Sequence, residues 1–282
     1  MITLDEAERF SYSDYSIGKR GILVTFDDGL SDHYLAAQIL AEQGIQGVFF
    51  IPTTILAEKL PANPMIIHYA LAKYSMSRFL QVYREGLEEY GLDRSEYEIK
   101  YDKYKDDPWK VIAVIKSVFQ YKLTHIQSRK ILLFIYRNLL FADEPEILET
   151  IHLTQKQIRQ ILQMGHCIGV HSHSHISIAA KQLSGRQFMQ EMVEPKRILE
   201  RMFNVRVRAF SYPHGEGKEC LWADELFKRR KEYMLAYTIE EKMNTKETSP
   251  FELGRYMLTS RDNTGALQRA LKRIIEKSEA MA

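Results

Sequence analysis

Continuous apolar runs alternate with stretches of helical periodicity along most of the chain. Residues 21–26 (GILVTF) form an unbroken, β-rich apolar run that two acids and a glycine stop abruptly, the pattern of a strand buried on both faces. Over residues 32–43, Tyr34, Leu35, Ile39 and Leu40 recur at helical spacing with Gly44 as the stop, and residues 48–51 read as another buried strand. Strand, helix and strand in so short a stretch predict a βαβ unit, which forces parallel pairing and a right-handed crossover.

The same rhythm resumes at Thr154, which with Gln157 makes a capping box before the periodic Ile158, Ile161 and Leu162 and a stop at Gly165. A short strand is expected at 167–170. A helix over 184–202 leads to a strand at 205–211, a helix near 223–231 leads to a strand at 233–239, and residues 256–259 precede a C-terminal helix. Such alternation predicts an α/β barrel or an open parallel sheet. Between residues 60 and 150 the rhythm is lost, and the segment is helical in pattern, rich in aromatic residues and dense in charges of both signs. It reads as a helical insertion, either a cap on the barrel rim or a lid that shapes a substrate site. Tyr101, Tyr104 and Trp109 among its lysines suit sugar stacking as well as ordinary anchoring of a helix face.

Composition narrows the function classes. Hydrophobic residues at 45% and charged residues at 27% permit a real core. The 39 Lys and Arg against 37 Asp and Glu give a net charge of +2, which argues against a nucleic-acid partner. Two cysteines, Cys167 and Cys220, make neither a disulfide framework nor a CxxC site, and a reducing compartment is the simpler expectation. The first ten residues contain Asp5, Glu6, Glu8 and Arg9 and no apolar run of the signal-peptide kind. Taken as the native start, this predicts a cytoplasmic protein, and no run is long enough for a transmembrane segment.

Three predicted strand ends carry reactive side chains. In Thr25-Phe26-Asp27-Asp28-Gly29, two adjacent carboxylates sit at a strand mouth. Neighbours on a strand point to opposite faces, so one carboxylate can hold a metal while the other stays free as a base. Three of the nine histidines fall within His171-Ser172-His173-Ser174-His175, a density that points to metal binding. A helix would pair His171 with His175 and a strand would pair His171 with His173, so spacing leaves the ligand pair open. Two histidines and one Asp suit a hydrolytic zinc ion and also a non-haem iron. In Phe210-Ser211-Tyr212-Pro213-His214-Gly215, a strand runs into a turn able to present backbone N–H groups to an oxyanion.

In this order and spacing the three segments resemble the polysaccharide deacetylase family, the NodB-homology domain or carbohydrate esterase family four. Residues 25–29 match its TFDDG motif, residues 171–175 its H-[ST]-x-x-H motif, and residues 210–215 resemble the F-x-Y-P-x-G form of its third motif. Gly165 to Gly169 resembles the G-H-x-I-G run that leads into the histidines. The resemblance covers residues 20–60 and 150–265.

It implies a distorted (β/α)7 barrel forming a single catalytic domain. One divalent metal would be held by Asp28, His171 and His175: zinc first, with cobalt, nickel, manganese or iron(II) as alternatives. Asp27 would be the general base towards a metal-activated water, and Tyr212 and the His214 backbone N–H would serve substrate and oxyanion. Many family members carry an Arg where this chain has Ser211, and a late Leu-His pair whose imidazole protonates the leaving amine. Here no histidine follows His214. Arg255 resembles a late arginine able to brace Asp27. The acid is then either the His214 side chain or Asp27 returning its proton. The implied reaction is hydrolysis of an N-acyl, in the first place N-acetyl, amide on an amino sugar or sugar-containing precursor. A deformylase of a formamido sugar is a close variant. A catalytically silent, metal-containing carbohydrate-binding domain is the alternative, which the retained Asp27 disfavours.

Overall fold

Five short parallel strands lie side by side in chain order: β1 (Val24–Phe26), β2 (Gly47–Ile51), β3 (Cys167–Val170), β4 (Ala209–Ser211) and β5 (Leu235–Tyr237). This computed structural model describes all residues except 19, 102–106, 182, 223–228, 259–262 and 282. The sheet is curled into a half-barrel with helices packed on it, an α/β fold. Among the described residues the sheet has five strands rather than seven, and the chain extends it past β5 only by a single parallel bridge, Tyr237 to Leu253. The predicted helix near 223–231 falls mostly outside the described residues.

Both faces of the sheet are covered, which is why the strands read as unbroken apolar runs. Along β2, Phe49 and Ile51 join Ile168, Val170 and Phe210 in a core with Ile158, Ile161 and Leu199. Val48 and Phe50 point the other way, with Ala209, Leu235 and Tyr237, onto Leu4 and Ala7. The latter two belong to an N-terminal helix, Leu4–Tyr12, opened by a capping box of Thr3 and Glu6. Its Glu8 receives Arg208 at 2.7 Å, and Asp5 pairs with the same guanidinium. Close packing leaves no room for a side chain at Gly169, where a Cβ would overlap the Phe50 ring and stand 2.9 Å from the Ala209 carbonyl oxygen.

Two expectations change. The strand expected at 21–26 shortens to residues 24–26 and is only half-buried, because β1 is an edge with β2 as its one neighbour. The helix expected over 184–202 is divided into Gly185–Phe188, a wider π turn over Met189–Val193, and Glu194–Phe203, with Pro195 near the start of the last piece. It ends at Asn204 in the left-handed conformation. The capping box of Thr154 with Gln157 forms as expected and opens the helix Gln155–Gln163.

Between β2 and β3 the described chain is helical, including Asn63–Lys73, Met76–Glu89, Pro108–Ser117 and His125–Ile135. These helices bury a core of their own around Ile66, Phe79, Tyr83, Ile115, Ile131 and Leu139. Tyr101 packs beside that core, Trp109 is exposed, and Tyr104 lies outside the described residues. Lys181, from the loop after β3, donates to the carbonyls of Phe119 and Leu123 at 2.7 and 2.6 Å and so ties the helices to the sheet. No described helix is long and apolar enough to cross a membrane.

Candidate metal centre and active site

Parallel strands place the residues that follow them at one edge of the sheet, and all three reactive segments follow strands. Asp28 comes two residues after β1, His171 one residue after β3, and His214 three residues after β4. One ligand atom from each of Asp28, His171 and His175 lies within 4.8 Å of the others. Asp28 Oδ1 stands 3.1 Å from His175 Nε2 and 3.4 Å from His171 Nε2, yet it is buried and makes no hydrogen bond among the described residues. His171 Nδ1 donates to the Ser211 carbonyl at 2.8 Å, which leaves its Nε2 as a bare lone pair aimed at the carboxylate. One carboxylate oxygen and two imidazole nitrogens converging in a buried site form a donor set that fits a divalent metal. Burial opposes ionisation of Asp28, but attraction to His175 and His171 holds its carboxyl well below the usual range.

The backbone is bent to make this meeting possible. Asp28, Ser172, His175 and His214 all have positive φ, at 75°, 55°, 62° and 64°. Left-handed residues other than glycine are uncommon and cluster where a site over-determines them. Ser172 Oγ accepts the His175 N–H at 3.0 Å, closing a tight turn between the two ligand histidines. His152, which no sequence pattern singled out, is buried with Nδ1 at 3.2 Å from the Asp28 carbonyl, while its Nε2 accepts the Ala62 N–H at 3.3 Å. Burial pushes its pKa down to about 4, against the Gly29 and Asp28 carbonyls and the Asp28 charge, which favour the charged ring.

Asp27 takes the opposite direction. Arg255 grips it with both arms, Nη1 to Oδ1 at 2.9 Å and Nη2 to Oδ2 at 2.7 Å, and Ser211 Oγ donates to Oδ2 at 3.0 Å. The guanidinium is itself fixed by Thr25 Oγ1 at 3.1 Å, Ser211 Oγ at 2.9 Å and the Thr238 carbonyl at 2.8 Å. Burial raises the Asp27 pKa, and attraction to Arg255 and then His171 outweighs it, so the group is held below its ordinary value. Asp27 is thus an ionised carboxylate beside the ligand cluster and outside it. Ser211 joins the same bracket.

The His214 ring meets His175 edge to face, with centroids 5.1 Å apart. Burial first, then repulsion from His175, His171 and Lys116, pushes its pKa down to about 3. Gly215 follows with φ of 60°, and a Cβ there would stand 2.9 Å from the Ile239 nitrogen, so only glycine fits the turn. Tyr212 corrects the sequence reading. Its side chain is buried in the core, its hydroxyl donates to the Phe251 carbonyl at 3.0 Å, and its N–H donates to the Tyr237 carbonyl at 3.1 Å. Neither group is available to a substrate, because alternation along the strand turns Ser211 to the site and Tyr212 away from it.

Residues 117–234 match the family model described as polysaccharide deacetylase. The matched stretch covers less than half of the chain. The match contains the histidine loop and the turn after β4, and begins downstream of Asp27 and Asp28, which the helical insertion separates from the rest. Among solved structures, the Streptococcus pyogenes deacetylase PplD in complex with acetate shares 16% identity over 95% of this chain and 78% of its own, with a TM-score of 0.54. IcaB from Ammonifex degensii shares 18% identity over 96% and 80%, at 0.53, and a de-N-acetylase from Aggregatibacter actinomycetemcomitans 12% over 95% and 82%, at 0.52. At such identities the likeness is one of fold alone. No curated protein matches the sequence.

Proposed function

We propose that this protein is a metal-dependent hydrolase that removes an N-acetyl or similar small N-acyl group from an amino sugar or a sugar-containing precursor. The observation that carries the reading is the pairing of a convergent Asp28, His171 and His175 donor set with an ionised, unligated Asp27 beside it. A binding module needs the first and has no use for the second. A divalent ion held by those three residues supplies Lewis acidity and lowers the pKa of water from 15.7 towards ~7. Zinc suits the donors best, with the other divalent ions as alternatives.

Asp27 accepts the proton of the attacking water, and the Arg255 fork with Ser211 Oγ keeps its lone pairs in register for that transfer. The backbone N–H of His214 is the proposed donor to the developing oxyanion. Burial disfavours the charged form of the His214 imidazole. Asp27 therefore returns its proton to the leaving amine, which closes the cycle without a late histidine. Two free cysteines, Cys167 and Cys220, fit a reducing, cytoplasmic setting, and in that setting a nucleotide-linked, lipid-linked or free precursor sugar is the proposed substrate.

Metal analysis of the purified protein, followed by amine-release assays on N-acetylated and N-formylated precursor sugars, tests the reading. Asp27→Asn should keep the metal and lose ~10²–10⁴-fold in turnover. A full complement of metal with no turnover on any amide would support the silent binding domain instead.

A further inference from the structure

The loop between the two ligand histidines is held from two sides by groups outside the Asp28, His171 and His175 set. On one side, Glu191 is 3% exposed and its carboxylate accepts the N–H groups of His173 and Ser174 at 3.2 and 2.9 Å and the Ser174 hydroxyl at 2.7 Å. His125 of the insertion reaches the same carboxylate, with Nε2 at 3.5 Å from Oε1. On the other side, the N–H groups of Thr53, Thr54 and Asn63 donate to the carbonyls of Ser172, His173 and Ser174 at 3.3, 3.0 and 3.1 Å. The His173 ring is pinned between Thr53 Oγ1 at 2.8 Å and Glu58 Oε1 at 2.9 Å. The backbone between the ligands is thus bonded in both directions, although Ser172 and His175 are left-handed and would relax if released.

The second side is itself braced by the insertion. Arg129, on the helix His125–Ile135, donates to Thr54 Oγ1 at 2.7 Å, Asn63 Oδ1 at 2.6 Å and the Pro61 carbonyl at 3.2 Å, and lies 3.3 Å from Glu58 Oε2. One guanidinium thereby ties together the segment whose amides hold the loop.

We infer that Glu191 and Arg129 are positioning residues for the metal centre, which hold the 172–174 loop in the shape that lets His171 and His175 ligate together and so make the helical insertion part of the site's metal affinity. The inference rests on the proposed reading of Asp28, His171 and His175 as metal ligands. Groups that orient ligands from behind are commonly worth ~10–100-fold in affinity.

Zn²⁺ affinity is measured by competition with a chromophoric chelator on wild type, Glu191→Gln and Arg129→Met, with amide exchange at His173 and Ser174 and thermal stability read on the metal-free proteins. Both loop amides bond one carboxylate oxygen and the Ser174 hydroxyl the other, so Glu191→Gln leaves the two amides on a neutral, weaker acceptor and turns an NH2 towards Ser174. Both variants should weaken Zn²⁺ binding ~10–100-fold and speed exchange at the two amides. Should Glu191→Gln or Arg129→Met fail to fold, Arg129→Lys keeps the charge, cannot span Thr54, Pro61 and Asn63 at once, and should weaken binding in the same direction. Variants that melt earlier but bind Zn²⁺ within ~2-fold of wild type, with both amides still protected, would reduce these residues to a structural role and overturn the inference. A wild type that binds no divalent metal would overturn the proposed function, and this inference with it.

Discussion

Replacing Arg255 by Met isolates the electrostatic bracket around Asp27. The pair joins a side chain 13% exposed to one 25% exposed, with the nearest atoms 2.7 Å apart. Exposed pairs contribute ~0.2–1 kcal/mol, and breaking a fully buried pair costs ~3–5 kcal/mol. A fork with one partner partly wet falls between these limits, at a coupling of ~2–3 kcal/mol. The single variant also strips donors from Thr25, Ser211 and Thr238, so its stability loss overstates the pair. A double-mutant cycle with Asp27→Asn cancels those shared losses.

Urea unfolding of the four proteins, all metal-free, gives the coupling directly. Its pH dependence has a definite sign. Asp27 is held below its ordinary value of 3.8 in the folded protein, so the coupling is fully present above that value and is lost only as the pH falls through the lower folded one. The coupling should therefore stay flat from neutral pH down to 3.8. A coupling under ~0.5 kcal/mol at neutral pH, or one that already decays well above the ordinary carboxylate range, would refute the argument that Arg255 keeps Asp27 ionised.

Four further outcomes can be measured. Gly169→Ala pushes a methyl group into the Phe50 ring and the Ala209 carbonyl and should cost ~1–3 kcal/mol in urea melts. Gly185→Ala, with nothing within 4 Å of the added carbon, should change stability by less than ~0.5 kcal/mol. Glu58, 45% exposed, has its pKa lowered to about 2 by the His173 hydrogen bond and, against burial, by Arg129. Its contribution, under ~1 kcal/mol at this exposure, should be present above pH 4.5 and fade as the pH falls towards 2, and a comparison of wild type with Glu58→Gln across that window measures it. Zn²⁺ at 100 times its dissociation constant should raise the unfolding free energy by ~2.7 kcal/mol in wild type and leave an Asp28→Ala, His171→Ala double variant unmoved.

Much of this site is legible in short windows of sequence. A buried parallel strand needs an apolar run, and the residue after it needs to face the same edge as its neighbours in the sheet. Local spacing therefore places Asp27, Asp28, His171 and His175 at strand ends before any fold is known. The capping box at Thr154 and the stop at Gly165 are equally local, because their hydrogen bonds close within one helical turn. Spacing leaves open which histidines converge with Asp28. Family resemblance implies His171 and His175, and the fold brings those two together with Asp28.

Tertiary structure decides whatever depends on a partner distant in sequence. Whether a strand is an edge is a property of the sheet, so the apolar run at 21–26 could not reveal that β1 has one neighbour and is half-buried. Register turns Ser211 towards Asp27 and Tyr212 into the core, a choice invisible in a motif that contains both. His152, Glu191 and Arg129 stand alone in the sequence and acquire meaning only through bonds to distant residues, 66 positions away where Arg129 meets Asn63 and 124 where His152 meets Asp28. The sequence by itself determines which chemical groups stand at the strand ends, because periodicity and capping are local. The folded chain alone determines which of them share a proton, a cation or a hydrogen bond, because those energies depend on distances that only packing sets.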